Sequence, residues 1–322
     1  MILLTGGSGF IGSVLLGYLN KKGINNIIVV DKFRKGFKWK NLIDKDYIEF
    51  VDKEKFFSSL HHYEFDAIFH IGACSDTTEL DMDYLFDNNF NSSKLLLEYT
   101  SNKDIPFIFA SSAAIYGDGS NGYSDYDENI DSYRPLNAYG YSKYIFDKYL
   151  IKENTKKPKH WYSFRFFNVY GPNEYHKGRM ASVVMHAYNQ LKKDGKIRLF
   201  KSHRDGFKDG EQKRDFIYVK DVVEVMYYFY ENRPKSGIYN LGTGIARSFN
   251  DLAKSVISSS GIFGDIEYFD MPEDIRDKYQ YLTQADIDKL RNAGYDKKFF
   301  SLEEGIYDYL VNYLMNDKNI YY

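Results

Sequence analysis

The chain has 322 residues, 43 basic and 45 acidic side chains for a formal net charge of -2, and 43% hydrophobic residues. This balance gives no electrostatic footprint for nucleic acid or an anionic membrane surface, and no apolar run approaches the roughly 20 residues of a membrane span. The apolar start, residues 1–5, runs straight into Gly6-Gly7-Ser8-Gly9 with no basic n-region, so no signal peptide is expected. A lone cysteine, Cys74, excludes an internal disulfide framework and suits a reducing cytoplasm; no His/Cys cluster has zinc spacing, so no metal is expected.

In chain order the first half alternates short apolar runs with helical patterns, the signature of a parallel α/β sheet. Strands are predicted at 2–5, 27–31, 47–51, 67–71, 107–111 and 161–166, and helices at 11–22, 84–101 and 139–152. Leu15, Leu16 and Leu19 put an apolar stripe on the first helix, and Leu95, Leu96 and Tyr99 do so on the second. After Gly171-Pro172 the rhythm changes: a helix near 180–193, a polar glycine-containing stretch at 201–213 that reads as a mobile loop, a short strand at 238–241 and further helices. The expected architecture is a Rossmann-type parallel sheet flanked by helices, with a smaller α+β substrate-binding lobe over the carboxyl ends of the strands. Residues 1–166, with 214–242 returning, would form the dinucleotide-binding domain; 167–213 and 243–322 would form the lobe. Tyrosine (31) and phenylalanine (25) are abundant beyond anything this pattern explains.

Thr5-Gly6-Gly7-Ser8-Gly9-Phe10-Ile11-Gly12 joins the first strand to the first helix. Gly7, Gly9 and Gly12 fit G-x-G-x-x-G, and Gly6, Gly9 and Gly12 fit G-x-x-G-x-x-G. Such glycines allow a tight turn and close backbone approach to a pyrophosphate, which the helix N-terminus then faces with free N–H groups. Glycines alone often make only turns, but Asp31 ends the next strand about 20 residues on, where the motif wants an acid for the ribose. Asp31 favours NAD over a 2′-phosphate, whereas Lys32, Arg34, Lys35, Lys38 and Lys53 would neutralise that phosphate or form only a solvated basic loop.

Tyr139 and Lys143 share a helical face at i,i+4. A phenol of reference pKa about 10 works as a base near neutrality only when its anion is stabilised, as a neighbouring ammonium would do. The same lysine can hold a nicotinamide ribose. With so many tyrosines such a pair arises by chance, but Ser112 adds weight: it lies just past a strand's carboxyl end, placed to bond a substrate oxygen or, more commonly, to cap a turn.

The order of glycine loop, acid, strand-end serine, Tyr-x-x-x-Lys, Asn168-Val169-Tyr170-Gly171-Pro172 and Arg214-Asp215-Phe216-Ile217-Tyr218-Val219 resembles the extended short-chain dehydrogenase/reductase superfamily. Gly72-Ala73-Cys74-Ser75, Asp87-Asn88-Asn89, Pro135-Leu136-Asn137, His176-Lys177-Gly178, Met180-Ala181-Ser182-Val183, Asn240 to Gly244, Tyr279-Gln280 and Thr283-Gln284-Ala285-Asp286 look like the ADP-L-glycero-D-manno-heptose 6-epimerases. That resemblance implies an isomerase whose Tyr139 removes the C6 hydroxyl proton, with Lys177 as a second acid/base, Ser112 as hydrogen-bonding serine and Lys143 beside them. It implies NADP, with NAD as the alternative, held by Gly6, Gly9, Phe10, Ile11, Gly12, Asp31, Lys32, Lys38, Lys53, Asn88 and Lys143 and lined by Ile71, Gly72, Ala73, Cys74 and Ser75. Asn168, Val169, Arg179, His186, Phe200, Arg214 and Tyr279, with Ser112, would hold ADP-heptose, Arg214 suiting the diphosphate. Cys74 becomes wall rather than nucleophile, and a homo-oligomer is expected.

Two features depart from that family: Arg179 stands where a serine is usual, and the 201–213 loop is longer, which alters the surroundings of Lys201, Ser202 and His203. A UDP-sugar 4-epimerase shares the Ser, Tyr and Lys and differs in how the sugar sits. A 4,6-dehydratase is disfavoured, because Ala113 and Ala114 follow Ser112 where an Asp-Glu pair is wanted. A non-catalytic dinucleotide sensor typically lacks an intact Tyr/Lys pair.

Overall fold

The computed structural model describes residues 1–33, 35–276, 279–316 and 320–321; Arg34, one of the predicted cations, lies outside them. The strands are β1 (Ile2–Thr5), β2 (Ile27–Asp31), β3 (Glu49–Asp52), β4 (Ala67–His70), β5 (Phe107–Ser112), β6 (Trp161–Phe166), β7 (Asn168–Tyr170), β8 (Lys196–Phe200), β9 (Lys213–Tyr218), β10 (Gly237–Leu241), β11 (Ala246–Ser248) and β12 (Asp265–Phe269). The helices that matter below are α1 (Phe10–Lys21), α2 (Lys53–Ser59), α3 (Met82–Leu85), α4 (Ser92–Lys103), α5 (Ala138–Ile151), α6 (Val183–Asp194), α7 (Val219–Asn232) and α8 (Phe249–Ser260).

Seven strands form one parallel sheet in the order β10-β6-β5-β4-β1-β2-β3. From β1 the chain builds outward to β2 and β3 on one side, and from β4 to β5, β6 and β10 on the other. The strand order therefore reverses between β1 and β4, where open α/β sheets bind ligands beyond their carboxyl ends. Strands β1, β2, β4 and β10 are buried along their whole length, so they read as continuous apolar runs. Two further sheets are small, a three-stranded one, β11-β9-β7, and a parallel pair, β12-β8. Within 214–242, β9 pairs with β7 and β11, β10 joins the large sheet beside β6, and α7 packs on α1. Among the described residues no helix is long and apolar enough to cross a membrane.

Three further expectations shift. The strand expected at 47–51 runs from Glu49 to Asp52. The helix expected at 84–101 spans α3, a π-helical segment Phe86–Asn91 and α4. Its buried face is Ser93, Leu96, Leu97, Thr100 and Ser101, whereas Leu95 is 48% exposed. Of the expected stripe Leu96 is buried and Tyr99 packs against the core, while the place of Leu95 is taken by Ser93, Thr100 and Ser101, whose hydroxyls each bond a carbonyl of the preceding turn. The 201–213 segment is tied down: Ser202 N–H donates to Asp209, Gln212 to Lys201 O, and His203 N–H to the Tyr281 hydroxyl.

The aromatic excess is core filling. Tyr116, Tyr133, Tyr162, Tyr170, Tyr218, Tyr239, Tyr295 and Tyr309 are all fully buried. On the α7 side of the sheet Phe229 meets Tyr162 and Phe164 edge-on, each at 5.0 Å between ring centroids.

Asn137 caps the start of α5 by accepting from Gly140 N–H at 2.8 Å. Asp147, one turn beyond Lys143, anchors the same helix to the sheet. Its carboxylate accepts from Ser111 Oγ at 3.0 Å, Ser163 Oγ at 2.7 Å and Arg165 Nε at 2.9 Å, all buried. Asp147→Ala should lower stability by about 3–5 kcal/mol, since it leaves Arg165 buried without its carboxylate. Urea unfolding checks this; an unchanged midpoint would mean that α5 is held otherwise.

Candidate active site

Gly6 lies at φ +72°, and a Cβ on it would meet the Gly72 backbone at 2.6 Å; a Cβ on Gly12 would lie 2.2 Å from Gly6 O. Gly9 caps α1 with no side-chain bond, so the first-turn N–H groups are open toward the crevice. A bare backbone cradle at a helix N-terminus fits the pyrophosphate of a dinucleotide. Phe10 is buried beside it and Ile11 half-buried, while Ile71, Gly72, Ala73 and Cys74 are half-buried and Ser75 exposed along the opposite wall.

Asp31 is saturated: Oδ2 accepts from Ser8 N–H (3.0 Å) and Ser8 Oγ (2.7 Å), and Oδ1 from Lys32 N–H and the Lys38 ammonium. Lys38 therefore stands at the carboxyl end of β2, paired with the very acid expected to hold the ribose. The Lys53 ammonium bonds Asn88 Oδ1, joining two predicted cofactor contacts. Lys32 pairs with Glu54 on the surface, and Lys35 is exposed.

Ser112 ends β5, and it caps the following turn as one of its two sequence readings expected. Its Oγ accepts Ala114 N–H at 3.1 Å as a turn cap, and the Tyr139 hydroxyl is hydrogen-bonded to it. Burial raises the Tyr139 pKa and the bond to Ser112 pulls it down. Lys143 was expected to face the phenol; instead its Nζ donates to Ala110 O at 2.7 Å and lies 4.5 Å over the Phe109 ring. Burial pushes its pKa down to about 7 against the pull of Asp147. The lysine is drawn to Ala110 because, 2% exposed, it needs an acceptor, and the nearest is a carbonyl of β5. Cys74 lies close enough to act electrostatically on both Tyr139 and Lys143.

Lys177 enters from the lobe on a 3-10 turn, Tyr175–Met180, and its Nζ lies 5.7 Å over the Phe10 ring. Burial lowers its pKa while the neighbouring Glu174 raises it. Glu174, 1% exposed, holds that turn by accepting from Ser182 Oγ at 2.6 Å and from Ser182 N–H. Asn41 ties the turn to the glycine loop, donating to Ser8 O at 3.1 Å and Asn173 O at 2.9 Å. Neither Asn41 nor Glu174 was expected from sequence; no local pattern marks them, since their partners come from other segments.

The lobe brings three predicted substrate residues together. The Arg214 guanidinium lies 5.1 Å over the Tyr279 ring and 5.6 Å over Phe249, and Tyr279 meets Phe200 edge-on at 5.9 Å. Arg214 is 8% exposed and has no carboxylate partner among its described contacts, which leaves its charge for an anion. Asn168 is exposed with Oδ1 3.5 Å from Thr283 Oγ1, and Val169 is half-buried. Arg179 turns away from this cluster: it is largely exposed and bridges to Asp76 (3.4 Å) and Thr78, and His186 Nε2 lies 3.3 Å from the Arg179 carbonyl. The nearest carboxylate, on the 76–78 loop, captures the guanidinium. Among the described residues no cluster could hold a metal ion.

A glycine cradle at a helix N-terminus beside a Ser112/Tyr139 hydrogen bond and a buried Lys143 is the arrangement of a nicotinamide-dependent enzyme. The chain belongs to the NAD dependent epimerase/dehydratase family, whose model matches residues 2–242. It is 49% identical to an ADP-L-glycero-D-manno-heptose-6-epimerase of Fusobacterium nucleatum, covering 98% of this chain and 99% of that one. The Helicobacter pylori ADP-L-glycero-D-manno-heptose-6-epimerase crystal structure superposes with a TM-score of 0.83 at 31% identity, covering 97% of this chain and 95% of that one. A Thermus thermophilus UDP-glucose 4-epimerase in complex with NAD gives 0.75 at 26% identity, covering 96% and 97%.

Gly12→Ala should strip the purified protein of nicotinamide cofactor, weakening retention roughly tenfold or more, because its methyl group collides with backbone that cannot yield. Mass spectrometry of denatured protein reads this out; wild-type occupancy in the variant would contradict the cradle.

Proposed function

We propose that the chain interconverts ADP-D-glycero- and ADP-L-glycero-D-manno-heptose by transient oxidation at C6, in the cytoplasm, supplying heptose for the lipopolysaccharide core. What supports this reading is the likeness over nearly the whole chain to an ADP-L-glycero-D-manno-heptose-6-epimerase, together with two buried groups suited to proton transfer, Tyr139 bonded to Ser112 and Lys177 on the 175–180 turn. Inverting a centre requires proton traffic on both of its faces.

When bound, the nicotinamide cofactor supplies reversible storage of the C6 hydride. Tyr139 takes the C6 hydroxyl proton, with Ser112 orienting that oxygen and sharing the hydrogen bond of the phenol. Burial raises the phenol and the hydrogen bond with Ser112 lowers it, so Ser112 eases removal of its proton, while Lys143, whose Nζ donates to Ala110 O, would serve the nicotinamide ribose. The C6 ketone then turns its other face, and Lys177 returns a proton to the oxygen as the centre is reduced. Burial lowers Lys177 toward the range where a lysine both gives and takes a proton. Arg214 clamps the diphosphate between Tyr279 and Phe249, leaving the heptose to reach Tyr139.

NADP is the better fit of the two dinucleotides. All four acceptor positions of Asp31 are taken by Ser8, Lys32 and Lys38, which leaves none for ribose hydroxyls and brings an ammonium to where a 2′-phosphate would lie. Cofactor released from fresh protein should be NADP by mass, and Lys38→Ala should shift retention toward NAD; NAD alone in the wild type would overturn this reading.

Purified protein should epimerise ADP-D-glycero-D-manno-heptose without added reductant, followed by NMR of the product. Unchanged heptose with turnover of UDP-galactose would favour a 4-epimerase instead. Tyr139→Phe should cut turnover at least about 100-fold, the scale of general acid–base catalysis. Near-normal turnover would remove Tyr139 from its role.

A further inference from the structure

Beneath the cofactor cradle runs a buried polar chain that the reaction chemistry does not use. His70 ends β4, between β1 and β5, and is 3% exposed. Its Nδ1 lies 2.6 Å from Thr5 Oγ1 and its Nε2 2.9 Å from Ser93 Oγ. Ser93 has one hydroxyl proton and donates it to Asn89 O at 2.6 Å. Ser93 must therefore accept from the ring, which puts the ring proton on Nε2. Burial, with Lys143 and Lys53 nearby, holds the imidazole well below its usual pKa, so it is neutral and Nδ1 is an acceptor. Thr5 then donates to Nδ1, and a lone pair of the same hydroxyl takes Gly72 N–H at 3.0 Å. Only one arrangement of protons satisfies every group.

The other end of the chain reaches the catalytic helix. Asn89 sits in the π-helical segment Phe86–Asn91, a local widening frequent at functional positions. Its Oδ1 accepts Cys74 N–H at 2.8 Å and Asn88 Nδ2 at 2.8 Å; its Nδ2 donates to Cys74 O at 3.0 Å and Ser142 Oγ at 2.9 Å. Ser142 in turn donates to Tyr139 O at 2.7 Å. The bonds run without a break from the end of β1 and the 72–74 wall through His70 of β4 and Ser93 of α4 to the π turn and the first turn of α5.

We infer that His70, held as its Nε2–H tautomer, is a positioning residue that sets the 72–74 wall of the cofactor crevice against the turn bearing Tyr139, acting through Thr5 on one side and Ser93 and Asn89 on the other. This rests on the reading of residues 5–12 and 71–75 as cofactor walls. A neutral imidazole is suited to the task because it offers one acceptor and one donor in fixed directions about 120–150° apart on a rigid ring. Phenylalanine fills similar space but leaves Thr5 and Ser93 without their partner, whereas glutamine retains one acceptor and one donor.

Nitrogen-15 NMR of histidine-labelled protein, with His70→Gln assigning the resonances, reads the tautomer directly and independently of any substrate. The expected signal is a neutral ring protonated at Nε2; a ring protonated at Nδ1, or at both nitrogens, would overturn the inference even if the epimerase reading stands. His70→Phe should reduce both cofactor retention and kcat about tenfold, the scale of one buried hydrogen bond left unmade, with KM for the sugar nucleotide within about twofold. His70→Gln should recover most of that loss. Should His70→Phe not fold, Thr5→Val keeps the shape of the site, removes the same donor and carries the same expectation. Wild-type kcat and cofactor retention in the folded Phe or Val variant would overturn the positioning role.

Discussion

At the carboxyl ends of β1 and β4 the backbones of Gly6 and Gly72 approach so closely that any side chain on Gly6 would strike the opposite loop at 2.6 Å. The contact sits where the strand order reverses, so the chain leaves β1 and β4 in opposite directions and a crevice opens above them. The segments proposed to hold the cofactor are placed relative to that seam. The helix α1 presents bare N–H groups from one side, the 71–75 wall rises on the other, and Asp31 with Lys38 closes the β2 end. Glycine is required here for space: the two loops can touch only where neither carries a Cβ.

The groups proposed to react are held by elements that bury their own polar anchors. Helix α5 carries Tyr139 and Lys143 and is pinned through Asp147 to Ser111, Ser163 and Arg165 of β5 and β6. Arg165 continues inward to the Tyr116 hydroxyl at 2.9 Å, which donates to Asn240 of β10 at 2.6 Å. From the lobe, Glu174 fixes the turn bearing Lys177, and Asn173 is tied to Ser13 of α1 at 2.9 Å. The lobe is also laced to the sheet domain through Gln280 to Gly117 O and Tyr123 to Leu282 O. Tyr139 and Lys177 are thus each carried by a segment with buried polar anchors, which suits the two proton-handling roles proposed for them.

Local chemistry explains which parts were legible in the sequence. The glycine loop, Asp31, Ser112 and Tyr139 were legible because each is marked by spacing within a strand–turn–helix unit, and the long buried strands announce themselves by apolar runs. Strand β8 was missed although Lys196 to Phe200 alternates exposed and buried residues, because its partner β12 lies some 65 residues on and both are short. Asn41 was invisible for the same reason: its bond to Asn173 O spans 132 positions. His70 and Asn89 carry no local signature, since the value of each comes from proton directions that only the assembled fold defines. Lys143 points elsewhere than its i,i+4 spacing implied, because a buried ammonium takes the nearest carbonyl, and Arg179 pairs with Asp76 as an exposed guanidinium takes the nearest carboxylate.

The central claim is that one hydride leaves C6 and returns to the same carbon from a cofactor that stays bound. Turnover of ADP-heptose carrying deuterium at C6, in ordinary water with unlabelled protein, tests it most directly. The account predicts an epimerised product that keeps deuterium at C6, with no solvent hydrogen entering that position. Loss of the label to water, with solvent hydrogen at C6, would show inversion by proton abstraction and contradict it.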